Sequence, residues 1–149
     1  MIPILLALLL TQADAGVPQE KPLAWPIHGR VTSEYGYRES DCMYHNGLDI
    51  AAKVGTPIRA AAKGRIYYSK ESKDPIGNFV YIYHKSIELY TLYGHLSKIA
   101  VRDGQKVRKG QVIGYVGLTG KTTGPHLHFT VEKGDEQVSV TVDPRLYLP

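Results

Sequence analysis

Val80-Tyr81-Ile82-Tyr83 and Leu89-Tyr90-Thr91-Leu92-Tyr93, with residues 85–88 between them, decide the fold class of this 149-residue chain. β-Branched and aromatic side chains suit a pleated, half-buried surface. Two such runs joined by a short, mostly polar connection read as a β-hairpin. Gln111-Val112-Ile113-Gly114-Tyr115-Val116 and Leu127-His128-Phe129-Thr130-Val131 repeat the pattern further along.

Working outward from the hairpin, fifteen glycines and nine prolines punctuate the short runs, at Gly55-Thr56-Pro57, Asp74-Pro75, Gly77-Asn78, Asp103-Gly104 and Lys109-Gly110. Residues 50–59 contain alanines, but Gly55 and Pro57 break any helical period. The expectation is a mainly β fold, an antiparallel sheet or sandwich with little helix. The length leaves room for one domain with a sizeable core.

At the N-terminus an almost unbroken apolar run, Ile2 to Leu10, precedes Ala13-Asp14-Ala15. It is too short to span a bilayer and ends on a signal-peptidase pattern, although no Lys or Arg stands before it. We therefore expect a signal peptide over residues 1–15, a linker over 16–24 and the functional domain over 25–149. An exported protein, periplasmic or extracellular at the cell wall, with no membrane span after cleavage, follows from that expectation. Loss of Asp14 raises the formal charge from +4 to +5. No Lys/Arg run stands out, so the excess is spread along the sequence. That argues against a dedicated nucleic-acid binder and fits attraction to a polyanionic surface such as a cell envelope. Cys42 is the single cysteine, which excludes an intramolecular disulfide. Its C-x-x-H spacing to His45 raises a thiolate ligand, but the histidines and aspartate nearby make a complete set without sulfur.

Three segments carry the chemistry: His45-Asn46-Gly47-Leu48-Asp49, Tyr93-Gly94-His95-Leu96, and Gly124-Pro125-His126-Leu127-His128-Phe129. Four of six histidines and one aspartate fall in them. A hydrolytic mononuclear zinc site needs three His/Asp/Glu ligands, an open fourth position, and a base or oxyanion stabiliser nearby. His126 and His128 are two apart on a strand and leave the same face, with Phe129 and Leu127 pointing into the core. Asn46-Gly47 suggests a tight turn, so His45 and Asp49 have a loop-and-strand spacing. By residue type alone, five side chains are candidate ligands of one metal.

Together with these segments, Ser33-Glu34-Tyr35-Gly36-Tyr37-Arg38, Ile50-Ala51-Ala52, Gly55-Thr56-Pro57, Gly77-Asn78 and Val107-Arg108-Lys109-Gly110-Gln111 form an ordered series. From Trp25 to Leu148 the chain resembles the lysostaphin-type (LytM-like) zinc metallopeptidases, which cut peptide cross-links of bacterial cell walls. The resemblance implies a lysostaphin-like β fold with a long open groove. It implies Zn²⁺ held by His45, Asp49 and His128, with His95 and His126 as an unmetallated catalytic pair, and leaves open which of the two takes the proton. It also implies peptidoglycan peptide stems and cross-bridges as partners, without nucleic acid, and a monomer. Tyr44, Tyr93, Asn78, Thr122 and Thr123 are positioned in sequence as groove residues. Thr130 stands where the family often has Glu, and His84-Lys85-Ser86 replaces a commoner His-Gly turn. His84 and His28 are expected to be non-ligands.

Two other classes share parts of this pattern. A wall-binding regulator or amidase activator on the same domain would have a broken ligand set, whereas this chain has every ligand and both histidines. A biotinyl or lipoyl carrier shares the turn pattern of residues 101–114 but needs a lysine displayed in an Asp-Lys-Ala or Met-Lys-Met type context, which is absent.

Overall fold

A computed structural model describes residues 20–135 and 137–149. The expected signal peptide and the start of the expected linker lie outside them. Leu23, near the linker's end, is already in the core, and its N–H donates to Tyr147 O at 3.1 Å. The strands are β1 (Arg30–Ser33), β2 (Gly36–Arg38), β3 (Met43–His45), β4 (Leu48–Ala51), β5 (Pro57–Arg59), β6 (Gly64–Lys70) and β7 (Phe79–His84). They continue with β8 (Leu89–Gly94), β9 (Leu96–Ile99), β10 (Lys106–Val107), β11 (Val112–Val116), β12 (His126–Gly134) and β13 (Ser139–Val142). Among the described residues the helical content is one 3-10 turn, Pro144–Leu146. No helix there is long and apolar enough to cross a membrane.

An eight-stranded sheet runs β1-β4-β12-β8-β7-β6-β10, with β13 also paired to β12. A three-stranded sheet, β5-β11-β9, and the β2-β3 ribbon complete the architecture, and the strand pairs are antiparallel. The expected hairpin is β7-β8, with Tyr83 opposite Tyr90 and His84 opposite Leu89. The core joins Leu48, Ile50, Val80, Ile82 and Phe129 of the large sheet to Ile58, Ile113 and Leu96 of the small one.

β12 is longer than its β-branched stretch because it lies between neighbours on both sides. β4 and β13 share one edge and β8 takes the other, so the ladder extends over His126 and through Gly134. Leu127, Phe129 and Val131 are fully buried on its inner face. Each such side chain contributes about 1.5–3 kcal/mol relative to exposure. That anchorage fixes the alternate residues, His126 and His128, on the opposite face.

Candidate metal and catalytic site

The ladder brings the three sequence segments together. His128 sits opposite Asp49 on one side and Gly94 on the other, and paired residues in adjacent strands face the same way. His45 ends β3, and Asn46-Gly47 then turns the chain into β4. Gly47 is needed there: a Cβ would lie 2.5 Å from Phe129 O and 3.1 Å from the His128 ring. His95 fills the one-residue break between β8 and β9 with φ 63°. A non-glycine residue in that region costs about 1–3 kcal/mol. Flanking bonds hold it: its N–H donates to Ile76 O and that of Leu96 to Asn78 O, both at 2.9 Å.

Three atoms converge at the centre. His45 Nε2 is 3.2 Å from Asp49 Oδ1, His128 Nδ1 is 2.9 Å from the same oxygen, and the two ring nitrogens are 3.2 Å apart. The outer ring atoms decide what faces inward. His45 Nδ1 is 2.8 Å from Glu34 O, which can only accept, so Nδ1 carries the proton and Nε2 the lone pair. His128 Nε2 lies 3.1 Å from Asn46 Oδ1; donation there leaves its lone pair on Nδ1. With both rings neutral, three acceptors thus point at one another. A tetrahedron with metal–ligand bonds of about 2.0 Å has edges of about 3.3 Å. The triangle therefore fits a small metal ion, and its three atoms leave a fourth position free.

Two more imidazoles border the triangle. His126 Nδ1 is 2.8 Å from Gly124 O and His95 Nδ1 is 2.9 Å from Thr119 O. Both rings therefore carry their lone pair on Nε2, and His126 Nε2 is 3.6 Å from Asp49 Oδ1. The ring centres of His95 and His126 are 4.7 Å apart. Burial pushes His95 below the ordinary histidine range; its bond to Thr119 opposes this, and the neighbouring His126 and His128 reinforce it. Burial raises the Asp49 carboxyl, but the adjoining His128 and His45 rings, which donate to it whenever they take up a second proton on the inward nitrogen, outweigh that and hold it well below the usual carboxylate range. Burial also lowers His45, yet its bonds to Asp49 and Glu34 win and leave it raised.

The description Peptidase family M23 matches residues 43–140, which include all five candidate residues. The chain belongs to this family. A DD-carboxypeptidase/endopeptidase, Mpg, of Neisseria meningitidis serogroup B is 42% identical over 136 residues, covering 85% of this chain. The chain spans only 30% of that relative's length. The catalytic domain of the prophage-encoded M23 protein EnpA from Enterococcus faecalis is similar in structure, with TM-score 0.71 and 36% identity over 80% of this chain and 94% of that one. The lysostaphin catalytic domain from Staphylococcus simulans follows at TM-score 0.69 and 31% identity, covering 78% and 90%. The expected fold, nearly all β and lysostaphin-like, is the one observed.

Within this M23 chain some expected groove residues lie elsewhere. Tyr93 is fully buried, and burial pushes its hydroxyl up to about 12, against its bonds with Thr91 and Ala61. It is a core residue and not part of a groove. Its neighbour Tyr90 shows why parity matters, since Tyr93 faces inward with Thr91 while Tyr90 faces the tyrosines of β7. Asn78 is half-buried and accepts from the N–H of Ser72, so it shapes the loop before β7. Tyr44 is exposed beside Tyr35. Cys42 is exposed and outside the ligand group, His28 is exposed, and His84 is buried in a separate network. Thr130 is buried beneath the site, and its hydroxyl has no partner among the described residues. Asn46, the Glu34 carbonyl, and the Thr119 and Gly124 carbonyls are parts of the site that the motifs did not reveal.

Proposed function

We propose that the chain is a zinc-dependent endopeptidase hydrolysing peptide cross-links of peptidoglycan, with DD-type links as the bond cut. The carrying observation is the convergence of three lone-pair donors 2.9–3.2 Å apart beside two imidazoles whose free nitrogens are fixed by backbone bonds. His45, Asp49 and His128 would hold the zinc ion. Bound zinc supplies Lewis acidity toward a peptide carbonyl and acidifies water. His126 and His95 accept or return a proton at Nε2, because Nδ1 of each is committed to a carbonyl. Burial keeps His95 neutral at neutral pH and so ready to accept.

The name of the Neisseria relative supports the DD specificity, and the three ligands come from one chain, so the site is complete without a partner's residue. We place its action outside the cytoplasm, where peptidoglycan lies, reached through cleavage after Ala15; N-terminal sequencing of the protein recovered outside the cytoplasm tests that point. For the activity itself, purified protein should hold close to one zinc per chain and convert cross-linked muropeptide dimers to monomers with new amino termini, read by mass. Chelation should stop the reaction and added zinc restore it. Undiminished hydrolysis by fully chelated protein overturns the proposal.

A further inference from the structure

Five of the basic residues that are scattered in sequence are brought together by the fold. A concavity of about 690 Å³ is lined by Lys63, Arg65, Lys85, Lys106, Arg108 and Tyr83, and no acidic residue borders it. Its cations come from three separate parts of the chain: the start of β6, the β7-β8 turn, and β10 with the residue after it. None of the five forms an ion pair among the described residues. Lys106 lies directly opposite Arg65, and Arg65 directly opposite Tyr83, so three adjacent strands present this row side by side. Like charges placed directly across a ladder are destabilising. An edge strand is blunted by a single lysine; a cup of five cations exceeds that need.

The concavity is distant from the metal triangle. Tyr83 pairs with Tyr90, which precedes Gly94, the partner of His128, by four residues, or about 14 Å along β8. We infer that this end of the sheet is a second site, which binds a linear polyanion whose charges are phosphate groups. Phosphate fits the arrangement because its several strong acceptor oxygens take donors arriving from different directions. A chain of phosphates fits better than one, since five positive charges exceed the charge of a single group. A membrane surface fits less well: the lining offers no exposed aliphatic side chain to enter lipid, Val107 being buried. The inference does not rest on the catalytic reading.

The test titrates labelled linear inorganic polyphosphate with the full chain at several salt concentrations. Each phosphate contact contributes about 0.7 to the slope of log K against log salt on a flexible strand, so neutralising three should lower the slope by about 2. The variant Lys63→Gln/Arg65→Gln/Lys106→Gln should show this loss without a lowered melting temperature. A control with the same charge change elsewhere, Lys53→Gln/Lys73→Gln/Lys98→Gln, should keep the wild-type slope. If the triple variant fails to fold, Lys85→Gln/Arg108→Gln gives the same reading with a drop of about 1.4. Equal losses in pocket and control variants would reduce the effect to net charge and overturn the site. Tighter binding to phosphatidylglycerol vesicles than to polyphosphate would overturn the polymer assignment.

Discussion

His45, His95, His126 and His128 at one end of the large sheet, and His84 at the other, are all largely shielded from water, yet they are wired in opposite ways. Each of the first four commits one ring nitrogen to a protein acceptor on its outer side and turns the other inward. His84 commits both. Its Nδ1 meets Lys63 O at 2.9 Å, and its Nε2 meets the Thr91 hydroxyl at 2.8 Å. That hydroxyl lies 3.0 Å from the Tyr93 hydroxyl, whose oxygen accepts the N–H of Ala61. A histidine becomes reactive when a nitrogen is left without a structural partner, and becomes part of the scaffold when neither is.

Changes at the two ends should therefore fail differently. His128→Ala removes a converging lone pair, and both zinc content and hydrolysis should fall to the level of chelated protein. His95→Ala and His126→Ala should lower turnover by about 10²–10⁴-fold while zinc content stays near one per chain. Metal loss in either would move that residue into the ligand set. Asn46→Ala frees the outer nitrogen of His128, and the zinc affinity, measured by competition with a chelator, should drop about 10–100-fold.

At the scaffold end, Thr91→Val strands the Nε2 of His84 and removes one partner of Tyr93, costing about 1–3 kcal/mol in denaturant unfolding. Turnover per folded molecule should be unchanged. The smallest effect is in pH. Burial depresses His84, with its bond to Lys63 opposing, so the folded state binds its proton less readily than the unfolded chain does. Its contribution to stability is full above the ordinary histidine value of about 6.5 and is lost as the pH falls from there toward the depressed folded value. His84→Gln should flatten that part of the stability profile, and an unchanged slope would mean that His84 is not held neutral.

The sequence revealed what alternation and residue type can carry. His126 and His128 share a face because strands have a period of two, and the core position of Leu127 and Phe129 follows from the same rule. Tyr93, expected in the groove, lies in the core for a related reason: Leu89-Tyr90-Thr91-Leu92-Tyr93 has no polar alternation, so nothing in it reveals which tyrosine faces inward. The carbonyls of Glu34, Thr119 and Gly124 are invisible in the sequence because every residue has one; the fold brings the first two to imidazoles, and the local turn before β12 brings the third to His126. Asn46 was read as half of a turn signal, although its side chain also orients His128. The basic concavity is not legible in the sequence because its cations are spread over residues 63–108 and meet only where β10, β6 and the end of β7 lie side by side.

The place of β12 in the chain sets an order of events. Asp49 and His128 meet across 79 residues, and His45 and His128 across 83. A growing chain possesses the first two candidate ligands early, but the third arrives on the twelfth of the thirteen strands among the described residues. Contacts so far apart in sequence form slowly and late. The fold thus acts as a timer: a nascent fragment that lacks β12 cannot bring the three candidate ligands together, and the triangle closes only after His128 has been made.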